Sequence, residues 1–166
     1  MMAGFFPAPV LMPAAFFHLL LLVLHLLAAA FWVGGMATLH FCVRPAAVRT
    51  LEPPQRLRLL AAVLAGFLRW VQVAIVLLLA TGFAMVQGLG GMGAVGWPVH
   101  AMLGIGLAMM AIFARIRLTH HPRMMAAVAA SDWAAAGAAL NVIRSRVFVN
   151  LLLGVVVFAV VLLPRA

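Results

Sequence analysis

Four long apolar stretches constrain this chain most, because they are too long and too continuous for the core of a soluble domain. They cover residues 14–39, 59–86, 97–116 and 147–163, approximately. A helix needs about 20 apolar residues to cross the hydrocarbon layer of a membrane. The strands of a membrane barrel would alternate polar and apolar residues, which these stretches do not. We therefore expect an all-α integral membrane protein, a single-domain four-helix bundle over residues 1–166.

The composition excludes the other broad classes of protein. Of the residues, 68% are hydrophobic and 8% are charged, whereas a soluble domain has about 45–50% and about 25%. Two acidic residues, Glu52 and Asp132, stand against eleven basic ones. A disordered chain would be far less hydrophobic. The expected surroundings of this chain are therefore the lipid bilayer.

The arginines indicate how the spans are oriented. Four lie between the first and second spans and five between the third and fourth: Arg44, Arg49, Arg56, Arg58, Arg115, Arg117, Arg123, Arg144 and Arg146. The connection between the second and third spans carries no charge. Short loops rich in arginine stay in the cytoplasm, which predicts a multi-pass protein of the bacterial inner membrane with both termini on the periplasmic side. The same rule accounts for the net charge of +9, so nucleic acid is not an expected partner.

A long connection precedes the fourth span. Residues 124–141 are rich in alanine and mildly amphipathic. They predict either a short interfacial helix or an extension of the fourth span into the cytoplasm. Ser131 is a candidate helix cap, and Trp133 suits the headgroup level of the bilayer.

Polar residues inside the spans are candidates for function, because each costs free energy in lipid. His18, His25 and Trp32 recur every seven residues on the first span, so they share one stripe, which we expect to face the bundle. His100 opens the third span beside a small-residue groove at Gly104. The three histidines are therefore predicted to form a site in the outer half of the membrane, unless each is simply hydrogen-bonded within the bundle.

Three other histidines and one arginine have different expected roles. His40, His120 and His121 fall at the cytoplasmic interface, where we expect them to be hydrated. Arg69 lies inside the second span, and no span contains an acidic residue to neutralise it. It either extends to the cytoplasmic surface or pairs with an anion from outside the chain, such as a haem propionate or a lipid phosphate.

The donor types favour redox chemistry or the handling of a soft metal. Imidazoles on facing helices ligate b-type haem, and imidazoles also bind copper. Two axial ligands of one iron must lie at the same depth. His18 and His100 meet that condition, whereas His25 lies about 10 Å deeper than His18 by helical rise. His25 could pair with His100 only if the third span begins earlier or tilts. Without a carboxylate in any span, a phosphate loop or a protease motif, hydrolysis is not expected.

One segment resembles a known family. LHLLAAAFWVGGMATLHFCVRPA, residues 24–46, contains a histidine, a Trp-x-Gly-Gly and an arginine: His25, Trp32, Gly34, Gly35 and Arg44. This pattern resembles the first membrane segment of copper-resistance protein D (CopD)-like membrane proteins. GFLRW at 66–70 and the pair Thr81-Gly82 are similar to the next helix of that family.

A second, related family shares part of this pattern. The HemJ-type haem-containing protoporphyrinogen oxidases have the same order of His, Trp, Gly and Arg, but they place a lysine where this chain has His100. The resemblance to the two families implies a role in copper uptake or resistance, or in haem-linked redox chemistry, in the bacterial inner membrane.

Two hypotheses of different classes follow. In the first, His25 and His100, helped by His18, bind b-type haem or copper, and Arg69 pairs with an anionic group. Haem would make the protein a membrane oxidoreductase acting on a quinone or porphyrin-like substrate. Copper would make it a copper-binding or transport protein with a periplasmic copper protein as partner. In the second, the chain is a cofactor-free structural or assembly subunit of a membrane complex.

Overall fold

The computed structural model describes residues 12–161, and nearly all of them are helical. The helices are α1 (Met12–Thr38), α2 (Arg44–Thr50), α3 (Pro53–Gly88), α4 (Trp97–Arg115), α5 (His121–Ala129) and α6 (Trp133–Val161), with a short 3-10 turn at Met92–Ala94. A π-helical turn joins α1 to α2 and another joins α4 to α5, so the described chain forms four long helices. Each is long and apolar enough to cross a membrane, which confirms an all-α architecture with four candidate membrane spans.

The helices extend well beyond the predicted spans. With 36 residues, α3 is about 54 Å long at 1.5 Å per residue, against a hydrocarbon layer of about 30 Å. The segments predicted as loops between spans one and two, and between three and four, are therefore largely helix. The nine arginines of those segments lie on helical extensions, where their long side chains can reach a polar surface. Residues 162–163, the end of the fourth predicted span, lie outside the described residues.

We call the end of the bundle that carries these nine arginines the arginine end. It contains α2, α5, the first turns of α3, the last turn of α4 and the first half of α6. The opposite end, which includes the connection at 89–96, is the uncharged end.

Two prolines explain the two π-helical turns. The turns cover Leu39–Val43 and Ile116–His120, and each ends two residues before a proline, Pro45 or Pro122. Proline lacks the N–H that would bond to the carbonyl four residues earlier, and its ring crowds that carbonyl. A wider turn just before the proline lets the helix continue.

The connection between α5 and α6 differs from the expected helix over 124–141. Ser131 has φ +56°, which ends α5, and the new helix begins at Trp133. Asp132, rather than Ser131, caps it: the Ala135 N–H donates to Asp132 Oδ1 at 2.9 Å. The second half of the predicted segment thus extends the fourth span, and the first half belongs to α5.

The core lies toward the arginine end. The most extensive helix pairs are α1 with α3, α4 with α6 and α5 with α6. Many buried side chains lie in the halves of these helices nearer the arginine end, including Leu64, Leu68, Phe113, Ile143 and Val147. The helices pack less closely toward the uncharged end, where the histidine site was predicted.

Candidate functional site

His25 is bound to the neighbouring helix through its ring. Its Nδ1 lies 2.9 Å from the hydroxyl oxygen of Thr81 on α3. Thr81 is 4% exposed, and His25 is half-buried. The pairing joins residues 56 positions apart and fixes the face that α1 presents to α3.

The hydrogen bonds of Thr81 favour the His25 tautomer that carries its proton on Nδ1. A hydroxyl has a single proton to donate, and the Thr81 hydroxyl donates to the carbonyl of Leu77 at 2.6 Å. When its proton is used in this way, the Thr81 oxygen is left to accept from His25 Nδ1–H. In the neutral imidazole this leaves a lone pair on Nε2, the form that binds metals, with the second nitrogen held by a partner as is usual for metal-binding histidines.

Gly82 makes room for this ring. A Cβ at Gly82 would lie 3.2 Å from His25 Cε1 and 3.7 Å from its Nδ1. The first distance is tighter than ordinary contact, so an alanine here would require the imidazole to shift by a few tenths of an ångström. The Thr81-Gly82 pair therefore supplies both the acceptor and the space for His25.

The other predicted site residues lie at the surface of the bundle. His18 and His100 are both exposed, and His100 Nδ1 lies 3.3 Å from the carbonyl of Gly96, the residue just before α4. A Cβ at Gly104 would meet nothing within 4 Å, so in the described chain nothing packs into the groove beside His100. Arg69 is also exposed on α3.

A ring contact between α1 and α4 fixes the relative depth of the histidines. Trp32 and Phe113 meet edge to face with centroids 6.3 Å apart, so they lie at similar depth. Seven residues separate His25 from Trp32, about 10 Å, and thirteen separate His100 from Phe113, about 20 Å. His100 is therefore level with His18 and about 10 Å nearer the uncharged end than His25.

Met36 lies farther along the same stripe of α1, toward the arginine end, where it meets a polar residue of α6. Met36 follows His18 by about five full turns and is 1% exposed. Asn150 of α6 is 2% exposed, and its Nδ2 donates to Met36 Sδ at 3.8 Å. Asn150 Oδ1 is buried without a partner among the described residues. Sequence reasoning missed Met36, because a methionine among leucines carries no distinguishing signal.

The histidines of the arginine end are less exposed than expected. His121 is 7% exposed, and Nε2 of both His120 and His121 is buried without a hydrogen-bond partner in the described chain. His40 stacks on Phe148 with centroids 5.0 Å apart. Because α5 packs on α3 and α6, its first residues turn inward rather than toward the headgroups.

Within residues 12–161 no three His, Cys, Asp or Glu side chains cluster closely enough to hold a metal ion together. His25 thus stands as a single oriented imidazole, in line on α1 with His18 and Met36. Such an arrangement offers a soft cation separate ligands at successive depths.

One comparison with known proteins identifies the family. The family model for copper resistance protein D, CopD, matches residues 61–163, more than half of the 166-residue chain. The chain belongs to the copper resistance protein D family. No curated protein and no solved structure matches it significantly.

The CopD match covers some of the candidate site residues and not others. It starts within α3 and includes Thr81, Gly82 and His100. His18 and His25 lie before the matched region, on α1. Membership of this family suggests a copper-resistance membrane protein. The match assigns no role to the α1 histidines, because it does not include them.

Proposed function

We propose that this CopD-family protein handles copper in the bacterial inner membrane, with Cu(I) as its cargo and the Nε2 atom of His25 as a ligand. The observation that carries the proposal is the contact of His25 Nδ1 with the Thr81 hydroxyl, which favours the tautomer whose Nε2 lone pair can bind a metal. Imidazole and thioether donors suit soft copper, and no intramembrane carboxylate is present to favour a hard cation.

The stripe on α1 supports passage of the ion rather than permanent storage. His18, His25 and Met36 lie about 10 Å and then about 16 Å apart by helical rise. An ion that crosses a membrane needs sites strong enough to enter and weak enough to leave. His18 and His100, level with each other at the uncharged end, are the proposed first contacts for copper.

The proposed orientation makes this path run inward from the periplasm. The arginine end is assigned to the cytoplasm by its positive charge, so the exposed histidines face the periplasm. A periplasmic copper protein is the expected partner there. Arg69, exposed on α3, is proposed to contact a lipid phosphate rather than a buried group.

Cellular copper content tests this proposal. A bacterial strain that expresses the wild-type chain should differ from the empty-vector strain in copper per cell and in growth on added copper. His25→Gln should remove that difference, whereas the control His40→Gln, outside the proposed His18–Met36 stretch of α1, should keep it. Equal copper content in all four strains, with equal amounts of protein in the membrane, would refute the proposal.

Haem b is a second candidate, favoured by one observation: His18 and His100 lie at the same depth on two helices. His25 and His100 do not fit one iron, because they differ in depth by about 10 Å. Bound haem would supply electron transfer to a quinone or a porphyrin-like substrate. The purified protein, air-oxidised and then reduced with dithionite, would show a Soret band that sharpens with α and β bands. A featureless spectrum from haem-replete cells would remove this candidate.

A further inference from the structure

A cavity of about 330 Å³ opens at the arginine end between α2, α3 and α6, far from His25. Arg44 of α2 and Arg56 of α3 line it, and both are half-buried. Trp133 also lines it, with the Arg58 guanidinium 5.0 Å from the centre of its ring. Its remaining wall is mainly apolar and includes Leu60.

The arginines of this cavity lack carboxylate partners in the described chain. The protein has two acidic residues, and one of them, Asp132, accepts the capping hydrogen bond of α6. The other, Glu52, is exposed ahead of α3. No arginine donates a side-chain hydrogen bond within residues 12–161. Two guanidinium groups that share a half-buried cavity repel each other, since water screens them less there.

An anion with a tetrahedral oxygen array would relieve this repulsion. Guanidinium presents its N–H groups in a planar fork that matches phosphate oxygens, and such charge-assisted hydrogen bonds are short and strong. The two arginines that line the cavity are therefore suited to bind a phosphate group.

The shape of the cavity favours a lipid as the source of the phosphate. A smaller cavity of about 50 Å³ adjoins it, sharing Arg44, Leu60 and Leu140. Its lining is mostly apolar, with Val63 and Ile143 among it, and also includes His40 and Arg144. Arginines beside a mainly apolar wall match the headgroup and acyl chain of a phospholipid. A free phosphate ion would leave the apolar wall uncovered, at a cost set by its area.

We propose that this cavity binds an anionic phospholipid, with the phosphate between Arg44 and Arg56 and an acyl chain along Leu60 and Leu140. Basic pockets between membrane helices on the cytoplasmic side are sites at which acidic lipids bind. The bound lipid would connect α2, α3 and α6 at the end of the bundle where the core is densest.

Native mass spectrometry of the detergent-purified chain tests the charge requirement. Phosphatidylglycerol should remain bound to the wild type, and phosphatidylcholine should not. Arg44→Gln with Arg56→Gln should weaken phosphatidylglycerol binding about tenfold or more. The matched pair Arg115→Gln with Arg123→Gln removes the same charge from exposed positions outside the cavity and should bind as the wild type does. Equal loss in both pairs, or equal retention of the two lipids, would overturn the proposal.

Two further measurements on the wild type keep the test decisive if the first pair fails to fold. Phosphatidylglycerol should raise the melting temperature more than the same concentration of inorganic phosphate. An equal rise would make the ligand a free phosphate and overturn the lipid proposal. A photoactivatable phosphatidylglycerol should cross-link to peptides containing Leu60 and Leu140. Cross-links spread evenly over the exposed faces of all four helices would also overturn it.

Discussion

At the scale of single residues, the Thr81 hydroxyl gives His25 its chemical character. When its only proton is donated to the Leu77 carbonyl, the imidazole donates through Nδ1 and keeps the Nε2 lone pair for a metal. A histidine held in this way meets a ligand with little loss of rotational freedom.

Removing the hydroxyl should therefore weaken copper binding without unfolding the protein. Thr81→Val keeps the side-chain shape but cannot accept from His25, and we expect Cu(I) affinity to fall about 10- to 100-fold. Thr81→Ser retains the hydroxyl and should bind as the wild type does. Competition with a chromophoric Cu(I) chelator measures both affinities. Equal affinity in the valine and serine variants would show that the hydrogen bond has no role in binding.

Asn150 offers a second test at this scale. It is buried, with its Oδ1 unpaired among the described residues. Asn150→Asp replaces the amide that donates to Met36 with a buried acid facing no cation, and it should destabilise the bundle by about 3 kcal/mol or more. Asn150→Leu removes both polar atoms at similar volume and should change stability by less than about 1 kcal/mol. Unfolding by transfer from mild detergent to dodecyl sulfate, followed by tryptophan fluorescence, separates the two. Similar stability of the Asp and Leu variants would contradict this account of the buried amide.

At the scale of helices, close approach at Gly154 holds α6 against α1. A Cβ there would lie 2.6 Å from Val33 Cγ2 and 3.4 Å from Met109 Cε. Val33 is β-branched and has few alternative rotamers in a helix, so it cannot easily move aside. Helices in lipid depend on such small residues for their packing.

Gly154→Ala should accordingly destabilise the bundle by about 1–3 kcal/mol. The control is Gly104→Ala, where the added methyl meets nothing, and it should be neutral or stabilising by up to about 1 kcal/mol. Val33→Ala combined with Gly154→Ala should recover part of the loss. The same unfolding assay gives all three values. Equal destabilisation by the two single glycine variants would mean that an unseen partner packs on Gly104.

The four membrane-spanning stretches were predictable from sequence, but the residues at which the helices begin and end were less so. The apolar stretches located all four spans, since length and hydropathy suffice for that. The helical extensions were missed because arginine-rich segments were interpreted as loops, although Pro45 and Pro122 fall where a wider turn continues a helix. The end of α5 was missed because Ser131 adopts a positive φ that its neighbours do not signal.

At the scale of the whole molecule, charge is separated between the two ends of the bundle. Nine of the eleven arginines lie at one end, and the exposed histidines His18 and His100 lie at the other. The sequence located the histidine stripe of α1 by its spacing. It could not show that His25 alone turns toward α3, because that depends on how closely the helices pack at each depth.

Cysteine labelling tests the proposed orientation. In a Cys42→Ser background, Gly93→Cys places a thiol at the uncharged end and Ser131→Cys places one at the arginine end, both at exposed positions. A membrane-impermeant maleimide should label the first in intact spheroplasts and the second only in inverted vesicles, because arginine-rich segments stay in the cytoplasm. The reverse pattern would place the proposed copper path in the opposite direction.

Cu(I) titration of the purified protein tests the central claim most directly. With a chromophoric chelator as competitor, the wild type should bind at least about one Cu(I) per chain through His25, and His25→Gln should lose that ion. His40→Gln, the matched control in the π-helical turn that follows α1, should retain it. Copper bound equally by wild type and His25→Gln, or by neither, would contradict the assignment of His25 as a ligand.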